Sequence, residues 1–236
     1  MTRRDELAAN LTSTRARIAR ACLAAGRDPA EVALTVVTKN FPAADVRLLA
    51  DLGVTDVGEN RHQEAQAKHA DCVASGVTDL RWHFIGGLQS NKAAAVARYA
   101  DVVESVDRPK LVGALARGAG ETGRTVDVLV QVSLDPPDGA GARAGAAPGD
   151  IRHLAELIAA EASLRLRGVM AVAPLGADPA PAFVELARLA AEVRAVDGDA
   201  TWISAGMSGD LEAAVAAGAT HVRIGSAILG MRPPIK

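Results

Sequence analysis

The sequence predicts an α/β fold: a closed (β/α)8 TIM barrel preceded by one extra helix. Short apolar runs alternate with helical patterns eight times along the chain. Strands buried on both faces read as such unbroken runs, and their alternation with helices implies right-handed parallel crossovers. A count of eight is what barrel closure requires, and the 236 residues suit a barrel that uses about 200–250 residues as one unit. No linker-like composition shift divides the chain, so residues 1–236 read as one domain. A doubly wound open sheet is the competing architecture.

The opening segment places Leu7, Leu11, Ile18 and Leu23 on roughly one face, the spacing of an amphipathic helix that covers apolar surface. It precedes the repeat. The first apolar run, 33–38, is short and β-branched, and Pro42 and Asp45 open a helix through Leu52 that Gly53 stops. Further strands are expected at 54–58, 80–85, 101–105, 126–132, 165–171, 200–204 and 220–224. Helices fall between them near 60–71, 90–99, 109–120, 150–162, 180–196 and 209–217, with a short terminal helix after Gly225. The stretch 135–149, rich in Gly, Ala and Pro, has the length of a long loop after the fifth strand.

Composition narrows the function classes. Half of the residues are hydrophobic (49%) but only six are aromatic, so the core must be built from small and branched aliphatics. The 26 Lys and Arg nearly balance the 28 Asp and Glu, which gives no electrostatic footprint for nucleic acid. Cys22 and Cys72 lie in helical patterns, too few for a disulfide framework or zinc site, and read as buried apolar residues of a reducing compartment. Acidic residues follow Met1 where a signal peptide would be apolar, and no run of about 18 apolar residues occurs. A cytoplasmic protein is expected. No aromatic or Met-rich stripe marks a helix face, so a monomer is the default.

Barrel active sites form at the C-terminal strand ends. Lys39 ends strand one, Glu59 and Asn60 strand two, Glu104 and Ser105 strand four, Gln131 and Ser133 strand five, Met170 strand six, Ser204 strand seven and Arg223 strand eight, while His83 lies within strand three. Lys39, with apolar neighbours beneath it, sits where desolvation favours the neutral amine needed for a Schiff base; the plainer alternative is a solvated lysine that ends a strand. Ser204-Ala-Gly206-Met207-Ser208-Gly-Asp210 and Gly225-Ser226 each open a helix. Their unpaired N–H groups and small residues suit a phosphate, and barrels often bind one there; the alternative is ordinary N-capping. Together, opposite a strand-one lysine, they suggest a phosphorylated aldehyde. Arg223 needs a partner if buried, either a carboxylate such as Glu59 or a ring nitrogen of a heteroaromatic ligand.

The segments Val36-Val-Thr-Lys39, Gly58-Glu-Asn60, Trp82-His-Phe-Ile-Gly86 with Leu88-Gln-Ser-Asn-Lys92, Leu166-Arg-Gly-Val-Met170, Ser204-Ala-Gly-Met-Ser208 and Val222-Arg-Ile-Gly-Ser226 occur in order at strand ends. Over essentially its whole length the chain resembles the pyridoxal 5′-phosphate homeostasis proteins, single-domain relatives of the N-terminal barrel of alanine racemase. The resemblance implies a fold-type III pyridoxal phosphate barrel without a second β domain. It implies that Lys39 carries the cofactor as an aldimine and that Asn60 and His83 lie near the ring. It further implies that Ser204, Gly206, Met207, Ser208, Gly225 and Ser226 surround the phosphate, and that Arg223 faces the pyridine nitrogen. Thr38-Lys39-Asn40, Gly86-Gly-Leu-Gln89 and Gly141-Ala-Arg143-Ala-Gly145 depart from the family pattern, and Arg143 leaves that loop without an assigned role.

Two function classes follow: a protein that binds pyridoxal phosphate reversibly and buffers or delivers it to apo-enzymes, or a racemase-like enzyme. A two-base racemase needs a proton donor on each face of the ring adduct. The resemblance implies that the second would be a Tyr from an additional domain, and the one tyrosine, Tyr99, is expected away from the strand ends. The carrier reading, with no catalytic residue and no metal, is the expectation.

Overall fold

The computed structural model describes residues 1–135 and 144–231. Its elements run α1 (Arg3–Ala24), β1 (Ala33–Val37), α2 (Ala43–Asp51), β2 (Asp56–Glu59), α3 (His62–Ala74), β3 (Arg81–Phe84), α4 (Ser90–Ala97), β4 (Val102–Val106) and α5 (Pro109–Gly120). They continue through β5 (Val126–Gln131), α6 (Ile151–Ala159), β6 (Leu164–Met170), α7 (Pro179–Arg194), β7 (Trp202–Ser204), α8 (Leu211–Ala216), β8 (His221–Ile224) and α9 (Ser226–Leu229). All strand pairs are parallel, and β1 pairs with β8, so the sheet closes in sequence order. The open-sheet alternative is thereby excluded.

Closure puts two kinds of interior in the molecule. Between sheet and helices lies a conventional core: Leu111, Leu115, Ile151, Leu154, Ile158 and Leu186 on one side, Leu7, Leu11, Val46, Leu49 and Val222 on the other. Ala-rich helices let the aliphatic strands approach closely, which is how a chain poor in aromatics fills its volume. Inside the barrel the apolar layer is small, comprising Val102, Leu129 and Met170 with Trp202 packed against them. Much of the remaining inner surface is charged. At the N-terminal floor Asp127 pairs with Arg81 (3.3 Å) and Arg165 (3.5 Å), and the guanidinium groups of Arg81 and Arg167 lie over the Trp202 ring at 5.1 and 4.6 Å.

Helix α1 starts at a capping box, in which Thr2 and Asp5 exchange side-chain-to-backbone hydrogen bonds, and buries Leu7, Leu11, Ile18 and Cys22. Leu23, expected on that face, is exposed. Cys22 and Cys72 are free and buried. Residues 136–143, with Gly141 and Arg143, lie outside the described residues. The returning chain bridges Ala146 to Val132 beside β5, and the Gln131 amide donates to Ala144 O at 2.6 Å. No helix among the described residues is long and apolar enough to cross a membrane.

Candidate functional site at the barrel mouth

A cavity of about 280 Å³ opens at the C-terminal end of the barrel, and its lining includes Val37, Lys39, Phe41, Ile85, Met207, Ser208, Arg223, Gly225 and Ser226. Its size fits a single-ring ligand, at the small end of ligand pockets. Lys39 follows β1 by two residues, and β1 and β8 are neighbours, so Lys39 and the turn after β8 share one wall. Gly225 makes this close approach possible: a Cβ there would lie 3.0 Å from Val37 O. The N–H groups of Ser226 and Ala227 precede the first intrahelical bond of α9 and have no partner within the helix. Gly206 turns the chain after β7 with φ +92°, and a Cβ on it would lie 2.7 Å from Ala214 Cβ. Only Gly fits there.

Helix α1 braces both turns from outside. Arg17 donates to Ser208 O (2.7 Å) and pairs with Glu212 (2.6 Å). Asn10 donates to Ile228 O (3.0 Å), and Arg3 bridges Leu229 O and Asp45.

Beneath the cavity a hydrogen-bonded column runs down the barrel. Arg223, 4% exposed, donates to Ser204 Oγ at 2.7 Å and Ala171 O at 2.8 Å. Ser204 Oγ donates to Glu104 Oε2 (2.6 Å), Glu104 Oε1 accepts from His83 Nδ1 (2.7 Å), and His83 Nε2 donates to Asp56 Oδ1 (2.9 Å). Burial opposes a charge on His83, but its hydrogen bonds to Asp56 and Glu104 outweigh that and hold its pKa up at about 9. Burial likewise opposes ionisation of Glu104, yet the bond from His83 and the charges of His83 and Arg223 bring it down to about 2. The Arg223 pKa is lowered by its own burial against the pull of Glu104 and Asp210.

A second buried cluster fixes the loop that carries Lys39. The Lys68 ammonium donates to Glu59 Oε1 (2.6 Å), Thr38 O (2.9 Å) and Glu64 Oε1 (3.1 Å). Glu59 also accepts from Thr38 Oγ1 (2.6 Å), and Glu64 accepts from the backbone N–H of Asn40 (2.6 Å). Asn40 has φ +67°, a left-handed conformation that Asn tolerates better than most residues. Burial pushes the Glu59 pKa up against the pull of Lys68.

Lys39, Met207, Ser208, Arg223, Gly225 and Ser226 thus come together at one cavity. Ser204 and His83 do not line it: both lie in the column below, Ser204 bonded to Glu104 and Arg223 and His83 to Glu104 and Asp56. Asn60 lines a neighbouring cleft with Arg61, His62, Gln89 and Lys92. Glu59, weighed as a partner for Arg223, belongs to Lys68 instead. Lys68, Asp56 and Arg17 escaped sequence reasoning. For Lys68 a signal existed: Ala65, Lys68 and Cys72 share the buried stripe of α3. Arg17 is half-buried beside the Ile18 stripe of α1, and nothing in the sequence points it at Ser208. No group of three His, Cys, Asp or Glu among the described residues could hold a metal ion.

A closed barrel with a strand-one lysine facing Gly/Ser turns after strands seven and eight defines a barrel of the alanine racemase N-terminal class. The family model described as alanine racemase, N-terminal domain, matches residues 5–233. The chain belongs to the pyridoxal phosphate homeostasis proteins. It is 40% identical to the protein of that name from Mycobacterium tuberculosis, covering 98% of this chain and 94% of the relative. It is 35% identical to the one from Escherichia coli, covering 97% of each. Among solved structures, PipY of Synechococcus elongatus with PLP bound superposes with a TM-score of 0.82 at 36% identity, covering 95% of this chain and all (100%) of that one. Alanine racemase from Corynebacterium glutamicum shares the fold, with a TM-score of 0.70 at 16% identity, and this chain spans 63% of its length.

Proposed function

We propose that this protein binds pyridoxal 5′-phosphate covalently at Lys39 and serves intracellular homeostasis of the cofactor, buffering it and delivering it to apo-enzymes without catalytic turnover. The observation that carries this reading is the sharing of one cavity of about 280 Å³ by Lys39, Arg223 and the two small-residue turns. The names of the relatives and the PLP bound in the PipY structure support it. Attachment would join Lys39 Nζ to the aldehyde carbon with loss of water, in a cavity that Val37, Phe41 and Ile85 also line. Ser208, Gly225 and Ser226 would hold the phosphate with hydroxyl and backbone N–H groups. When bound, the cofactor supplies an electron-withdrawing ring. An Arg223 donor leaves its nitrogen unprotonated and weakens that withdrawal.

Absence of turnover is read from the opposite face of the site. Tyr99, the one tyrosine of the sequence, is buried in the turn after α4, its hydroxyl without a partner, and its pKa is raised by burial. It lies outside the cavity. His83, a second proton-carrying side chain of the barrel, is fixed between two carboxylates. We further propose that residues 1–236 act as one monomeric domain in the cytoplasm.

The test is reconstitution. The wild-type protein should show a visible absorbance band with pyridoxal phosphate and be fixed by borohydride at Lys39, and Lys39→Ala should lose the band. Fixation at another residue in both proteins would overturn the assignment. Racemisation, transamination or decarboxylation of L-amino acids at about 1 per second or faster would overturn the carrier reading.

A further inference from the structure

We propose that Glu104 is a positioning residue for Arg223, held in turn by His83 and Asp56, so that the barrel interior orients and charge-balances the guanidinium before any ligand arrives. This rests on the reading of the mouth cavity as the pyridoxal phosphate site.

The hydrogen positions follow from the partners. Carboxylates accept only, so His83, with Asp56 on one ring nitrogen and Glu104 on the other, must donate from both and is an imidazolium. The Ser204 hydroxyl has one hydrogen, which goes to Glu104 Oε2 at 2.6 Å. Toward Arg223 Nη1, at 2.7 Å, Ser204 Oγ can then only accept. Glu104 therefore sets the polarity of the serine that holds the arginine. Formal charges alternate along the column, with Asp56 and Glu104 negative and His83 and Arg223 positive, and they cancel. A buried arginine is otherwise costly, and Glu104 Oε2 lies 3.8 Å from its Nη1.

Ser204 and Ala171 O use two of the five N–H groups that a guanidinium carries. Arg223 also forms part of the cavity wall, so the rest of its donor capacity remains for a ligand. With both contacts fixed, the planar group cannot swing without breaking charge-assisted hydrogen bonds. A ring nitrogen arriving there meets a directed donor. Because Glu104 is fully occupied by His83 and Ser204, it neither approaches the ring nor lends it a proton.

The roles separate in a double-mutant cycle on the full chain: wild type, Glu104→Gln, Arg223→Gln and the double variant, each titrated with pyridoxal phosphate. Borohydride fixation at Lys39 in the wild type checks the site reading itself; its failure would fault that reading and not the role of Glu104. Glu104→Gln should shift the absorbance band of the bound cofactor in the same direction as Arg223→Gln. It should also raise Kd about tenfold, the loss of one directed charge-assisted hydrogen bond. In the Arg223→Gln background it should add nothing, because its effect passes through the arginine. A wild-type spectrum and Kd in Glu104→Gln, whatever its melting temperature, or additive effects in the double variant, would overturn the proposal. Should Glu104→Gln not fold, Ser204→Ala takes its place: a smaller band shift of the same sign is expected, and an unchanged band and Kd would overturn the proposal.

Discussion

Replacing Lys68 with Met should be the most damaging conservative change outside the cavity. The ammonium is buried and bonds Glu59 at 2.6 Å and Thr38 O at 2.9 Å. Met retains most of the apolar stem, so packing changes little and the main loss is the charge. Glu59, 1% exposed, is then left without its cation, and its Oε2 already has no hydrogen-bond partner. Breaking a buried pair from one side costs about 3–5 kcal/mol. At about 2–4 °C per kcal/mol for a chain of this size, the melting midpoint should fall by roughly 6–20 °C.

The loss should also depend on pH. Burial already raises the Glu59 pKa, with Lys68 opposing it, and removal of Lys68 raises it further. The folded state then holds a proton that the unfolded state releases, so stability falls as pH rises from the unfolded value through the folded one. Urea unfolding followed by circular dichroism should show a larger loss near about pH 8 than near about pH 5. Glu59→Gln combined with Lys68→Met should recover much of it, since no charge is then stranded. A loss under about 1 kcal/mol, or the same loss at both pH values, would refute the reasoning.

Gly206→Ala forces a side chain onto a backbone at φ +92° and to within 2.7 Å of Ala214 Cβ. It should cost about 1–3 kcal/mol and weaken cofactor binding, which paired denaturation and titration would show; an unchanged affinity would detach this turn from the site. His83, held at about 9 against an ordinary 6.5, contributes stability that is fully present below the unfolded value and lost as pH rises through the folded one. The wild-type melting temperature should therefore decline between those values, and His83→Gln should flatten that decline; parallel curves would argue that His83 is neutral. Arg17→Ala removes the bond to Ser208 O. It should raise the Kd for pyridoxal phosphate about threefold to tenfold, in line with one lost hydrogen bond, with Lys39 still the residue fixed.

Much of the fold was legible because the apolar runs repeat. Strands 33–38 and 220–224 were expected, and β1 and β8 occupy Ala33–Val37 and His221–Ile224. The same runs concealed the barrel interior. Val102-Val-Glu104-Ser-Val106 reads as apolar with an interruption, yet Glu104 faces inward and holds two partners. Strand periodicity separates faces but does not say which face meets charge, and the mates of Glu104 come from β3 and β7, far apart in sequence. Lys39 and the turns at Ser208 and Gly225 could be read because strand ends are named by topology alone. Ser204 could not be separated from Ser208 by sequence. Four residues apart, one feeds the column and the other lines the cavity.

Helix α1 has a consequence for the order in which the molecule can become functional. It precedes every strand of the barrel in the chain, and Arg17, Asn10 and Arg3 bond Ser208, Ile228 and Leu229, close to the last residues described. Closure of β1 on β8 imposes the same delay. A nascent chain must hold the apolar face of α1 until α8 and α9 emerge, a contact of long sequence separation of the kind that slows folding. Lys39 after β1 and the Gly225–Ser226 turn after β8 line the same cavity, so the proposed cofactor site would be complete only once those two strands have paired.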